Sequence, residues 1–222
     1  DSTKAIHAVY DKYFADEYED VKLLGMFTVA GDAWAATKDL STLDGISGSK
    51  IVPFAAMTSP IFEAWGSVPV QMPVTEMYSG LSTGTIDGTS ISASQMTPPW
   101  NFGEVSSYYI DNIPVSFAVF FVAMNKERYM GLSDEHRAII DEMAGLETSM
   151  MGAQSFHNDA MRGMKANASD APQVANVNFV SISDEERKKM DALTAEALQK
   201  IFADYASNGI NNAEEIYNAL NN

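Results

Sequence analysis

Cysteine is absent from this 222-residue chain. That absence removes disulfide frameworks, thiolate nucleophiles and cysteine-based metal sites together. Positive charge is scarce: 14 Lys and Arg stand against 30 Asp and Glu, a formal net charge of −16. So acidic a surface repels phosphates and no basic stripe interrupts it, which argues against nucleic acid as a partner. The acidity suits a soluble, abundant protein and a saline habitat. Histidine is rare as well. His7, His136 and His157 lie far apart on predicted helices, outside any HExxH-like ligand spacing. They are expected to be solvated or helix-surface residues, and no metal or other cofactor is expected. Long apolar runs are missing too: the longest, Phe117 to Met124, is of strand length, so no membrane span is expected. No phosphate-binding glycine loop, nucleophile elbow or DxDxDG calcium loop occurs.

What is present is a globular composition, 46% hydrophobic with mixed charge, and chain enough for one large domain or two modest lobes. Ile6, Val9, Tyr10, Tyr13 and Phe14 recur at helical spacing over residues 3–19. The chain thus opens in mid-pattern, as a processed or incomplete chain would. Val21 to Phe27 reads as a strand, and residues 31–44 as a turn and a polar connection. Lys50 to Phe54 reads as a short strand closed by Pro53. Ser59 as N-cap, Pro60 at the first helical position and Gly66 beyond the end frame a short helix over Ile61 to Trp65. Val68 to Met72 reads as a second strand. Thr75 caps a helix through Leu81 stopped by Gly84, and Ile86-Asp87-Gly88 reads as a further strand. Strand, helix and strand with such short connections predict a parallel α/β unit.

Residues 89–114 read as irregular. Ser116 to Met124, nearly all apolar and β-prone, predicts a strand buried on both faces. Ser133 caps a long helix running towards Met164, long enough to bend or to cross between lobes. Val177 to Ile182 predicts another strand. Ser183-Asp184-Glu185-Glu186 has the form of a capping box opening a helix that ends before Asn208-Gly209, and Ala213 to Leu220 a terminal helix. Met143, Met150, Met151, Met161 and Met164 fall at helical spacings and are expected to fill irregular core space. Two carboxylates invite a catalytic interpretation. Glu76 lies in the first turn of a helix, where a carboxylate complements the N-terminus, and Asp87 precedes Gly88 where a strand turns. Capping and turn formation account for both, with an α/β enzyme using Glu76 or Asp87 as the alternative.

The order of these motifs resembles the substrate-binding subunit of TRAP transporters, the DctP-like periplasmic solute receptors. Val21-Lys22-Leu23-Leu24-Gly25-Met26-Phe27 is similar to the family's strand before the cleft, and Asp44 to Ile51 to its Asp-Leu-x-Gly-x-Lys-Ile segment. Phe62-Glu63-Ala64-Trp65-Gly66, Pro69-Val70-Gln71-Met72-Pro73, Glu76-Met77-Tyr78, Leu81 and Ile86-Asp87-Gly88 follow in the family's order. Met124-Asn125-Lys126 through Leu132-Ser133-Asp134 looks like its Asn-Lys-x-x-x-x-x-Leu-Pro-x-Asp signature. The resemblance implies an α/β, two-lobed periplasmic-binding-protein-like fold with mixed or parallel sheets and a long interlobe helix. It implies a non-enzymatic role: capture of a small organic ligand in an interlobe cleft in the periplasm, and delivery to TRAP membrane permease subunits. It assigns residues 30–117 and 158–210 to one lobe, 1–29 and 118–157 to the remainder of the other, and 211–222 to a C-terminal helix. Roughly the N-terminal third of the family's chain has no counterpart here.

In most of these receptors an arginine after the Lys-Ile pair clamps a ligand carboxylate, a task suited to its planar fork of donors. Here that residue is Val52. The asparagine that usually follows Asp-Gly-x-x is Ile91, and the aromatic after Met-Pro is Val74. The usual arginine–carboxylate clamp is therefore not expected. Trp34, Phe54, Trp100 and Phe117 are expected to supply an apolar or cation-attracting wall, and Ser90, Ser92 and Ser116 a few hydrogen bonds. The expected ligand is neutral, cationic or partly apolar. The alternative is a scaffold or interaction protein that kept the fold and lost the carboxylate site.

Overall fold

The computed structural model describes residues 2–30, 33–114, 117–167 and 177–221, with side chains except those of Ala30, Phe117, 164–167 and 221. The turn expected at Gly31 and the hydrogen-bonding role of Ser116 fall outside the described residues. In chain order the elements are α1 (Ser2–Tyr13), β1 (Val21–Ala30), β2 (Ala33–Ala36), α2 (Leu43–Ile46), β3 (Lys50–Val52), α3 (Ser59–Ala64), β4 (Val68–Pro69) and α4 (Val74–Thr83). There follow β5 (Gly88–Ile91), β6 (Tyr108–Asp111), β7 (Phe117–Asn125), α5 (Lys126–Met130), α6 (Asp134–Met143), α7 (Leu146–Asn167), β8 (Asn178–Ser181), α8 (Asp184–Ser207) and α9 (Ala213–Asn221). The chain divides into two compact units. The first holds Asp1–Val29, Val119–His157 and Asp204–Asn222, and the second Ala30–Ala118 and Asn158–Ala203.

The second unit is built on one sheet with strand order β4-β3-β5-β2-β6-β8. β2 is antiparallel to both β5 and β6, while β3 is parallel to β4 and β5, and β8 to β6. Five strands therefore run one way and β2 alone runs against them. Alternation along β2 divides the core. Trp34 and Ala36 enter a cluster with Ile61 and Phe62 of α3, with Trp65 just beyond its end, and with Ile110, Ile182 and Met190. Ala33 and Ala35 face the other way, towards Val52, Leu81, Ile86, Ile91 and Phe102.

β2 lies in the stretch expected to be a polar connection. Its four residues, Ala-Trp-Ala-Ala, are all buried, but alanine has little β-preference and the flanking residues are polar, so no alternation was visible. β6 and all of β5 beyond Gly88 likewise lie in the stretch expected to be irregular. Other boundaries follow their punctuation more closely. α4 ends at Gly84, whose φ of +72° suits glycine. α3 starts at Ser59 with Thr58 before it, because a tight turn over Ala56–Thr58 runs straight into the helix. The second strand of that region, expected through Met72, is only Val68–Pro69. Ser183 Oγ accepts from Glu186 N–H, as a capping box requires. The Glu186 carboxylate, however, turns away to accept from Leu43 N–H and from Lys189.

The first unit contains a two-stranded sheet of β1 and β7. α1 packs against α9, where Lys12 and Tyr13 both donate to Glu215 at 2.7 and 2.6 Å. The single long helix expected from Ser133 is two helices, broken at Gly145, whose φ is +95° and whose N–H donates to the Leu24 carbonyl at 2.7 Å. Burial differs most from expectation here. β7 is not covered on both faces: Phe120 is 41% and Phe121 56% exposed. Met143, Met151 and Met161 are exposed rather than core-filling. An apolar run and a methionine stripe mark what can be buried, not what is. Met164 falls among the undescribed side chains.

Candidate functional site

Five co-directional strands end at one edge of the sheet in the second unit, and in open α/β sheets that carboxyl edge is where ligands bind. The candidate residues other than Phe117 belong to that edge or to the connections leaving it. Val52 closes β3, and Phe54 follows it, half-buried. Val74 begins α4 after β4 and is exposed. Ser90 and Ile91 close β5, and Ser92 follows. Trp34 sits near the start of the opposed strand β2, in register with Ser90. Trp100 lies on the connection from β5 to β6 and is exposed, leaning on buried Phe102 with ring centroids 6.3 Å apart. Phe117 opens β7, and its side chain is outside the description.

The side chains at this edge are not equally available. Trp34 is fully buried, stacked obliquely on Phe62 and Trp65 at 5.9 and 6.1 Å. Its indole N–H donates to Ser90 Oγ at 3.0 Å, so the tryptophan and the serine satisfy each other inside the core. Val52 and Ile91 pack in the same buried cluster as Leu81 and Phe102. Trp34, Val52, Ser90 and Ile91 thus lie inside the core rather than on an open wall. Ser92 N–H donates to Gln95 Oε1 at 2.8 Å, one half of a capping box over the turn Ala93–Met96. Phe54, Val74 and Trp100 keep solvent-facing surface at this edge.

Sequence reasoning passed over three contacts that shape this edge. Gln95 could have been found, because Ser92-x-x-Gln95 has capping-box spacing. Tyr78 Oη donates to Glu104 Oε2 at 2.9 Å, joining α4 to the β5–β6 connection. That bond, to a carboxylate, holds the pKa of the Tyr78 phenol above its ordinary value. Gly163 of α7 lies directly over the backbone of Ala93 and Ser94. Neither of the last two leaves a local sequence signal.

The carboxylates proposed for catalysis have other occupations or none. Asp87 Oδ2 accepts from Lys50 N–H at 2.7 Å and its backbone pairs with Lys50 and Thr37, fixing the entry to β3. Glu76 stands exposed in the first turn of α4. Asp141, Glu186 and Glu215 are held below the ordinary carboxylate range, chiefly by hydrogen bonds from Lys22, Lys189 and Lys12 respectively. Among the described residues no three metal-ligating groups converge, and no helix is long and apolar enough to cross a membrane.

A histidine–serine pair in the first unit deserves separation from this site. His7 Nε2 lies 2.8 Å from Ser149 Oγ and 3.1 Å from the Met26 carbonyl. Ser149, fully buried, gives its only proton to the Gly145 carbonyl at 2.6 Å and accepts from Met26 N–H at 2.8 Å. Nε2 is therefore the donor towards serine. A general base needs the reverse, so this is a structural clasp joining α1, β1 and α7. His7, expected to be a solvated or helix-surface residue, does lie on a helix but is half-buried, with its ring nitrogen engaged in the clasp.

The model of the DctP family, the bacterial extracellular solute-binding proteins of family 7, matches residues 4–205. The ectoine-binding periplasmic protein TeaA of Halomonas elongata is 27% identical over 188 residues, covering 80% of this chain and 52% of that protein. The chain thus spans about half the length of this curated relative. A marine metagenome TRAP solute-binding protein specific for aromatic acid ligands, solved with metahydroxyphenylacetate, superposes with a TM-score of 0.86 at 23% identity. The superposition covers 99% of this chain and 69% of that one. A TRAP solute-binding protein from Rhodoferax ferrireducens, solved with copurified benzoate, gives 0.86 at 22% identity, covering 99% and 68%. The two solved structures share with this chain a two-lobed α/β fold. With its family model matched over residues 4–205, the chain belongs to the bacterial extracellular solute-binding proteins of family 7.

Proposed function

We propose that this chain is the solute-capturing part of a TRAP-type transporter, working outside the cytoplasm without catalysis and passing a small organic ligand to membrane permease subunits. The observation that carries the proposal is the family match across residues 4–205, joined to the gathering of the candidate residues at one carboxyl edge. Phe54, Val74 and Trp100 would form the wall that meets the ligand, Phe117 would add to it, and Ser92 would contribute backbone polarity. Trp34, Val52, Ser90 and Ile91 would back that wall from the core.

The ligand would be neutral, cationic or partly apolar rather than a simple carboxylate. Val52 and Ile91 are aliphatic and buried, and neither can pair with an anion. Exposed Trp100 offers a π face that attracts a cation or covers an apolar ring. The test is a thermal-shift series with ectoine, tetramethylammonium and benzoate. At a hundredfold excess over Kd a bound solute adds about 2.7 kcal/mol, or about 5–10 °C for a chain of this size. Ectoine or tetramethylammonium should give such a shift and benzoate should not.

The burial of Val52 and Ile91 favours a second reading, a chain that kept the fold and lost its site. That reading requires no shift with any solute of the series.

A further inference from the structure

We propose that Gly163 is a positioning residue of the ligand edge, holding the turn after β5 in place through direct backbone contact. The inference rests on the preceding proposal for its meaning in binding, but its structural basis is independent. β5 ends at Ile91, and Ala93–Met96 form a tight helical turn directly after it. From below, the turn is fixed by its own bonds: Ser92 N–H to Gln95 Oε1 at 2.8 Å, and Gln95 N–H to the Ser92 carbonyl at 2.9 Å. From above it is fixed by α7. A methyl group at position 163 would collide with the Ser94 amide nitrogen and would lie 2.5 Å from the Ala93 carbonyl carbon.

Both of those are backbone atoms, which have no rotamer to escape into. Any residue but glycine must push α7 and the turn apart. Gly163 has no left-handed torsion to justify it, and a helix-interior glycine is otherwise a liability. Close approach is the physical reason for it. The turn carries Ser92 and Ser94 and leads into the connection that bears Trp100, so displacing it moves the ligand-facing end of β5 without deleting any ligand contact. A ligand site loosened by a fraction of an ångström in its support is weakened although every contact residue remains.

The comparison that tests this is Gly163→Ala against Gly152→Ala. Gly152 is on the same helix, and a methyl there would lie 2.6 Å from the Phe27 ring rather than near the turn. Amide hydrogen exchange of both full-length variants needs no ligand. Gly163→Ala should accelerate exchange at Gln95 and Thr97 selectively, and Gly152→Ala should leave those two amides as in the parent. Equal acceleration in both variants, or none in Gly163→Ala, overturns the proposal. The second measurement uses ectoine or tetramethylammonium, whichever raises the melting temperature of the parent chain. Gly163→Ala should weaken its binding about tenfold or more, with Gly152→Ala within about twofold of the parent. Selective exchange without loss of affinity would retain the contact but overturn its role in binding. If neither solute binds the parent, the exchange result alone decides whether Gly163 positions the turn, and it is the functional proposal that fails.

Discussion

Replacing Val52 with arginine places a guanidinium where the receptors resembled by this sequence hold one, and asks whether the position faces ligand or core. Val52 is 3% exposed at the end of β3, clustered with Ala33, Leu81, Ile91 and Phe102. Losing its apolar burial costs about 1.5–3 kcal/mol. Leaving a cation there without a partner costs about 3–5 kcal/mol more. Outward bending of the long side chain recovers part of this, so a net loss of about 4–6 kcal/mol is expected against a total stability of about 5–15 kcal/mol. All three tryptophans, Trp34, Trp65 and Trp100, lie in the same unit as Val52. Urea unfolding followed by tryptophan fluorescence therefore reports on that unit. With a slope of about 2 kcal/mol/M the midpoint should fall by about 2–3 M, while Val52→Ala, which only leaves a cavity, should lose about 1 M. Benzoate should not rescue the arginine variant. A variant that keeps the parent midpoint and gains benzoate binding would refute the core assignment, because the side chain would then be meeting solvent or ligand.

Ser149→Ala leaves Met26 N–H and His7 Nε2 without their shared acceptor, and should cost about 2–4 kcal/mol in urea unfolding followed by far-ultraviolet circular dichroism; a neutral effect would mean the clasp carries no weight. Trp34→Phe removes the donor to Ser90 Oγ and part of the ring that fills the space against Phe62 and Trp65. It should cost about 2–4 kcal/mol by fluorescence-detected unfolding, more than Trp100→Phe at its exposed position. Glu186 is held below its ordinary value of 4.5 by Lys189 and by Leu43 N–H, so its stabilisation is complete above that value and is lost as pH falls through the lower, folded one. Glu186→Gln should therefore flatten the acid limb of the urea midpoint below about pH 4.5, and an unchanged limb would show that the bond to Leu43 has no energetic consequence.

The parts of the fold that were readable are those where one residue type solves a backbone problem. Gly66, Gly84 and Gly209 have φ of +90°, +72° and +89°, and each stands just beyond a helix that the sequence predicts. Ser133 and Ser183 cap the helices they announce. β2 was unreadable because its burial comes from the sheet around it and from helices on both faces, none of which is local. β7 misled for the complementary reason: Val119, Phe120, Phe121 and Val122 are as apolar as a fully covered strand, yet all four retain exposed surface. At the candidate edge, Val52, Ser90 and Ile91, singled out from the sequence, close parallel strands that finish together. The sequence could not show that Trp34 spends its N–H on Ser90, nor that a glycine seventy residues downstream of the turn rests on its backbone. Both depend on pairings across the sheet or between distant segments, and neither leaves a periodic or motif-like trace.

The most direct test of the central claim is native mass spectrometry of the chain purified after expression in a bacterial periplasm, with any released adduct identified by its fragmentation. A solute-capturing chain without an anion clamp should carry a small organic molecule that is neutral, cationic or zwitterionic, in about one-to-one ratio, and release it on unfolding. A bare chain that also binds none of the offered solutes, or one that retains a simple monocarboxylate, would contradict the account.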